Sequence, residues 1–569
     1  MTASEAPEPG SVASRTATAP RIVGAGQLAM RARAPRPALQ GLLALAAYLA
    51  VFIIAYAFRL VRDIGLPQVG QTQVDPNFYV WSLRWWPYAL THGLNPLYSR
   101  QIGAPAGYNL AWTTTAPALA VLLSPVTAAF GPVTSLNLTL LLSAPVSAWA
   151  AYLAARRLTG RFWAALAAGA VYGFSPYEVG HTGVGQANLA VIMLLPLMVY
   201  LVLLWRDGKL GDAAFTGLLA VAMTAEFYIF NEAFAELTVL GAAGLLIGFA
   251  VARPADRAAV ARLARLAGAA WAVAVVLASP YLVYSLRHYS AGFTKAIPAN
   301  SLNLRALIIP ESGIPLLLTV LALAVLTWSS RLTRLLVIGF ALIVVLALGP
   351  RLTIGSKQLG AVPWAHLWSL PLARSAEPAR LMLFGYRVLA IILAVWLARP
   401  TASRLQLASQ WVLGLVAVAA IVAYIPAAAG ASGLPGGSRP ASVRPAYALP
   451  TFISGGLYRD YLRPGEIVVV VSDRGNAGML FQADADFYFR IAGGFINAAL
   501  SDTTALPPPV ARLSDPTPIR ERQFRAYVRQ AGVGAILVEQ AWSAPWMDIF
   551  SRMGLHGTRV GGVIVYRIA

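Results

Sequence analysis

QTQVDPNFYVWSLRWWPYALTHG (Gln71–Gly93) places one carboxylate, Asp75, at the head of an aromatic, amphipathic segment just past the first long apolar run of the chain. Pro76 suits the first turn of a helix, and Asp75 before it suits the N-cap. At helical spacing Phe78, Trp81, Trp85 and Tyr88 share one face, and Tyr79 and Trp86 add further rings of the kind that favour a bilayer's headgroup layer. The stretch therefore reads as an interfacial helix headed by an acid. What that acid does depends on the side of the membrane it occupies.

The 569 residues are 58% hydrophobic and only 12% charged, too few charges to cover a soluble surface, so the apolar excess must face lipid. The expected fold class is a polytopic α-helical membrane protein. Cysteine is absent, which excludes disulfides, thiol catalysis and cysteine metal sites. The net charge of +21 comes almost wholly from Arg, with Lys only at 209, 295 and 357. In a membrane protein such an excess marks cytoplasmic loops and contact with anionic lipid, not nucleic acid. Residues 1–37, rich in Ala, Pro, Ser and Thr with five arginines, read as a disordered cytoplasmic tail. No apolar stretch near the start suits a cleaved signal peptide, so the first span serves as the insertion signal.

Arginine clusters assign the sides. Arg156/Arg157/Arg161, Arg206/Lys209, Arg253/Arg257/Arg262/Arg265, Arg331/Arg334 and Arg399/Arg404 are expected in the cytoplasm. This predicts about eleven spans, near 38–58, 134–155, 163–177, 189–205, 213–229, 233–251, 266–285, 313–329, 333–349, 381–398 and 406–425. The N-terminus is then cytoplasmic and the C-terminus outside, in a multi-pass plasma-membrane protein whose first external loop covers 59–133. Thr115–Phe130, short and interrupted by Pro117 and Pro125, reads as a helix in or dipping into the outer leaflet, an ordinary short span being the alternative. Residues 426–450 form a Gly/Pro/Ser-rich linker. Beyond it, 451–569 alternates strands (466–471, 534–539, 561–568) and helices (518–532, 544–554), which predicts a small extracytoplasmic α/β domain.

In this order of elements the chain resembles the glycosyltransferase C superfamily, which includes protein mannosyltransferases, aminoarabinose transferases and arabinosyltransferases. The resemblance rests on an acid in a long first external loop (VDPNFYVW), a Pro-bearing short apolar helix (TAPALAVLLSP) and a span ending in a basic turn (YLAARRLTGRFWAALAAGAVYGFSP). It covers roughly residues 38–210 in pattern, with similarity in span count further on, and the membrane module expected from it runs over 38–425. It implies a polyprenyl-phosphate-linked sugar as donor, a glycan, lipid or protein acceptor, inversion at the anomeric carbon, and catalysis by the first-loop acid, here Asp75. Many members carry a second acid beside the first, whereas this chain has Pro76 and Asn77, which leaves no cofactor certain and a divalent metal only possible.

Sugar transfer from a lipid phosphate needs a base for the attacking hydroxyl, cations for the leaving phosphate and a groove that aligns both substrates. Asp75 is the candidate base. The second external loop, SPYEVGHTGVGQAN, offers Glu178, His181, Gln186 and Asn188 as substrate contacts, as the resemblance also implies; a carboxylate and an imidazole three apart could bind a cation with Asp75. Glu226, preceded by a dozen apolar-rich positions, is expected to face a cavity or a cation, whereas Glu232 needs no more than a water-exposed turn. Arg374 and Arg380, just before a span, suit a phosphate. Asp484 and Asp486 form an isolated D-x-D. A transporter, flippase or assembly factor for lipid-linked glycans would want many of the same charges and is the alternative to a transferase.

Overall fold

A computed structural model describes residues 37–66, 74–288, 331–354, 357–362, 364–367, 376–401, 403–412, 414–416, 419, 447–472, 476–493 and 521–568. Among these, seven helices are long and apolar enough to cross a membrane: Pro37–Ala57, Ser124–Thr159, Ala187–Arg206, Asp212–Ile229, Asn231–Val251, Pro254–Arg287 and Pro378–Leu397. The protein is thus a polytopic helical membrane protein, with a small α/β domain at its C-terminal end. Two of the expected spans are shorter apolar helices, Phe162–Gly173 and Leu332–Ala347. The expected span at 313–329, the tail 1–36, Arg374 and most of the linker lie outside the described residues, as does much of 406–425.

Small residues let the helices approach. Gly169 and Gly173 stand one turn apart on Phe162–Gly173 and face the long helix Ser124–Thr159. A Cβ on Gly173 would lie 2.4 Å from the Ala148 nitrogen and 2.5 Å from the Ala144 carbonyl oxygen, so only glycine permits this contact. Phe162–Gly173 then ends, and Ser175 starts a second short helix, Pro176–Val184, by accepting a hydrogen bond from the Glu178 amide at 3.3 Å. Thr115–Phe130 consists of two short helical pieces, Pro117–Leu122 and the start of Ser124–Thr159, which breaks at Gly131 (φ 84°, ψ 162°) before the span proper.

In the C-terminal domain the expected strands and helices are present, joined by a short helix, Ala477–Asp484, and strands Arg490–Ile491 and Gly557–Val560. The five-stranded sheet runs Arg490–Ile491, Ile467–Val471, Ala535–Glu539, Val563–Arg567, Gly557–Val560, parallel across its first three strands and antiparallel thereafter. The segment after helix Val74–Thr91 extends it. Ile491 N–H donates to the Gln101 carbonyl at 2.8 Å, Ala104 N–H to Ile491 at 3.0 Å and Gly103 N–H to Gly493 at 2.9 Å. An otherwise open sheet edge is thereby covered by the membrane module itself.

This docking corrects the interfacial reading of the aromatic helix, Val74–Thr91. Phe78, Tyr79, Trp81, Trp85 and Trp86 are buried in protein. Phe487 of the C-terminal domain meets Trp81, Trp85 and Tyr88 at ring separations of 5.7, 5.5 and 4.6 Å. The wholly buried amide of Gln482 accepts from Trp81 Nε1 at 2.7 Å and donates to the carbonyls of Gln101 at 2.8 Å and Phe489 at 2.7 Å. Arg84 adds a half-exposed pair with Asp486 at 2.9 Å, the role the structure gives one acid of the D-x-D. The rings satisfy the pattern of a membrane interface, yet a protein surface covers them.

Gly173→Leu is expected to abolish a monodisperse peak in detergent gel filtration, while Gly241→Leu, which meets open space, retains it. Gln482→Leu takes the side-chain partner from the Trp81 indole N–H and the Phe489 carbonyl, each loss being worth about 1–3 kcal/mol, while the Gln101 carbonyl keeps the Ile491 N–H; hydrogen exchange in Val74–Thr91 should rise accordingly.

Candidate active site

Asp75 sits in the first turn of Val74–Thr91, outside the spans. Helix Pro176–Val184 ends at Gly185, whose φ of 77° reverses the chain and lets Gln186 N–H donate to the His181 carbonyl at 3.0 Å. That turn brings the Gln186 amide between two partners. Its Nε2 donates to Asp75 Oδ2 at 2.7 Å, and its Oε1 lies 2.6 Å from His181 Nδ1. A carbonyl oxygen only accepts, so Nδ1 must carry the proton. Burial pushes the imidazole down to about 4, against the raising effect of Gln186, so the ring is neutral at ordinary pH with Nε2 unprotonated.

Asp75 is pulled both ways. Burial raises its carboxyl above the usual range, while the Gln186 hydrogen bond and then the Arg380 charge hold it back; Glu377 adds a smaller push upward. Arg380 leads into the span that begins at Pro378. Its Nη1 donates to Glu232, its Nη2 lies 3.2 Å from Glu377, and its guanidinium lies 5.7 Å from the Phe230 ring centre. Glu232 also accepts from the Glu377 amide at 2.8 Å, and Arg380 Nε is buried without a partner among the described residues. Asn188, beside the site, accepts from the buried Tyr79 hydroxyl.

The fold thus brings together Asp75, His181, Gln186 and Arg380, with Asn188 one contact away. It does not bring Glu178 to them. That side chain is fully buried in the helix bundle, where Thr182 donates to it at 3.4 Å, and burial raises its carboxyl well above the usual range. The stretch 175–188 holds a helix, Pro176–Val184, on which Glu178 and His181 find different partners, Thr182 and Gln186. Glu226 is buried, its Oε2 unpartnered among the described residues, on the span Asp212–Ile229. It shares with Glu178 and Arg387 the surroundings of Tyr172 and is not among the groups acting on Asp75. Arg374 lies outside the described residues. Glu232 and Glu377 are the members that sequence reasoning missed. Glu377 stands three residues before Arg380 and was visible in principle, but Glu232 is 148 positions away and no local pattern reveals it.

No three His, Cys, Asp or Glu among the described residues converge as metal ligands. The Asp75 oxygen that faces His181 is engaged by the Gln186 amide, which separates the two candidate ligands. Among the described residues the cation acting on Asp75 is Arg380.

Because the Gln186 N–H favours the ionised carboxylate, Gln186→Leu should raise the Asp75 pKa. The infrared carboxyl band, isolated by subtracting Asp75→Asn, should then titrate at higher pH than in the wild type.

No family model and no curated protein matches the sequence. Solved structures do match it in fold. The oligosaccharyltransferase of Archaeoglobus fulgidus aligns over 90% of this chain and 71% of its own, with a TM-score of 0.56 at 12% identity. That protein has also been solved with an inhibitory peptide and a dolichol-phosphate, and with zinc and sulfate. ArnT from Cupriavidus metallidurans bound to undecaprenyl phosphate aligns over 93% of this chain and 98% of its own, with a TM-score of 0.54 at 13% identity. The arabinofuranosyltransferase AftD from Mycobacteria gives a TM-score of 0.58 at 15% identity over 94% of this chain, which spans 40% of AftD. Over nine-tenths of its length the chain thus shares the fold of these membrane transferases.

Proposed function

We propose that this chain is an inverting membrane glycosyltransferase that moves a sugar from a polyprenyl-phosphate donor to an acceptor hydroxyl at the outer face of the membrane. The observation that carries this reading is Asp75, a carboxylate raised by burial, aimed by Gln186 and facing the charge of Arg380, in a fold shared with transferases solved with polyprenyl phosphates. Asp75 takes the proton of the acceptor hydroxyl as its oxygen attacks the anomeric carbon. The bond from that carbon to the donor phosphate oxygen breaks, and polyprenyl phosphate leaves. A phosphate leaving group needs no proton, so one base suffices. Arg380 lies where negative charge collects as the phosphate departs. Its carboxylate partners Glu232 and Glu377 hold it in place.

Charge supports this side of the membrane. Two spans contribute to the site at one end, Ala187–Arg206 next to Gln186 and Pro378–Leu397 at Arg380, and both run toward arginines, Arg206 and Arg399, at the other. The positive-inside bias supports an arginine-rich end in the cytoplasm and Asp75 outside, with the C-terminal domain.

In a deletion strain complemented at matched protein levels, Asp75→Asn should lose a sugar from a defined envelope glycan while its lipid-linked donor accumulates, both read by mass spectrometry. Identical glycans from wild type and variant would instead favour transport or assembly of lipid-linked glycans. In a purified assay Asp75→Asn should lower turnover by about 10²–10⁴-fold. A base works only when ionised, so activity should rise with pH through the elevated Asp75 pKa, and Gln186→Leu should move that acid limb to higher pH.

A further inference from the structure

A second feature lies at the membrane face opposite Asp75. A cavity of about 510 Å³ runs between the first span, helix Phe162–Gly173 and the segment that follows Pro378–Leu397. It cannot be part of the site around Asp75. Arg380 and Leu397 occupy opposite ends of one span, separated by about 25 Å at the rise of an α-helix.

The lining is almost wholly apolar, with Val51, Leu166 and Leu415 among its walls. Val51 and Leu415 are 38% and 64% exposed in the protein alone, so the cavity is a groove on the lipid-facing surface rather than an enclosed core void. Gly414 keeps it open. A Cβ there would lie 3.0 Å from Leu397 Cδ2, and any larger side chain would fill the space. Trp163 and Trp411 meet edge to face across it at 6.4 Å, the residue type that settles at headgroup depth. At that level two cations, Arg161 and Arg399, line the rim.

Arg156 is engaged by Gln40 at 3.0 Å and Arg157 by Asp207 at 2.7 Å. No carboxylate pairs with Arg161 among the described residues, and it is exposed. An apolar slot of ligand size, opening beside cations at headgroup depth, matches an anionic amphiphile: hydrocarbon in the slot, phosphate on the arginines. We propose that this groove binds one anionic phospholipid from the leaflet opposite the Asp75 site, held by an acyl chain between the first span and Phe162–Gly173 and by its phosphate at Arg161 and Arg399. A neutral phospholipid offers the same chain but carries a choline over the arginines, so selectivity rests on the headgroup.

The test uses the full chain in detergent, with phosphatidylglycerol and phosphatidylcholine of identical acyl chains. Native mass spectrometry should show one phosphatidylglycerol retained in preference to phosphatidylcholine. Arg161→Gln combined with Arg399→Gln should weaken retention about tenfold or more, as two arginine–phosphate contacts are lost, and Gly414→Leu should weaken both lipids together. Arg253→Gln, on the same face but away from the groove, should change nothing. A photoreactive diazirine on the acyl chain of phosphatidylglycerol should label the wild type at Leu166, Leu397 or Leu415, which decides the matter even if a variant fails to fold. Equal retention of both lipids, labelling elsewhere, or full retention in the double variant overturns the proposal. So does displacement of the label by equimolar undecaprenyl phosphate, which would make the groove a seat for the carrier's tail.

Discussion

A carboxylate at the edge of an apolar helix bundle must be kept partly ionised and pointed, and the site is organised around that demand. Burial pushes the Asp75 carboxyl up. The Gln186 amide and the Arg380 charge oppose this, and each needs its own support. Gln186 is aimed by the turn at Gly185 and by His181, whose neutral ring offers a donor without adding a competing charge. Arg380, half-buried at a span entrance, is held by Glu232 and Glu377. Truncating either acid would leave a half-buried guanidinium partly unpaired, which costs more than losing a surface ion pair.

The same helix that carries Asp75 is clamped from the other side. Its aromatic face lies under Phe487 and Gln482, and the loop that follows it completes the edge of the C-terminal sheet. The C-terminal domain is therefore structurally continuous with the loop beside the site. Phe487 adopts a φ of 57°, unfavourable for an L residue, and the contacts with three rings offset that strain.

Composition and hydropathy were enough to reveal a polytopic membrane protein, and alternation of short apolar strands with amphipathic helices was enough to reveal the α/β domain. These are one-dimensional signals, since lipid exposure and strand or helix periodicity act on neighbours in sequence. Asp75 was legible for a related reason: an isolated acid beside a proline and a run of rings is conspicuous on its own. Gln186, His181 and Arg380 stood out as polar groups near span ends, although nothing local showed that they meet.

Tertiary structure decided the rest. The rings of 78–88 carry the signature of a bilayer interface, and only the docking of Phe487 and Gln482 shows that protein covers them. Glu178 and His181 are three residues apart, a spacing that puts both on one side of a helix, yet Thr182 engages the first within the bundle and Gln186 the second beside Asp75. Glu232 joins Arg380 across 148 positions. The sequence by itself determined the solvent each segment prefers, because transfer free energy is a property of the segment. Which polar groups share a partner was left to the fold, because a hydrogen bond or ion pair depends on distances that close only when the spans assemble.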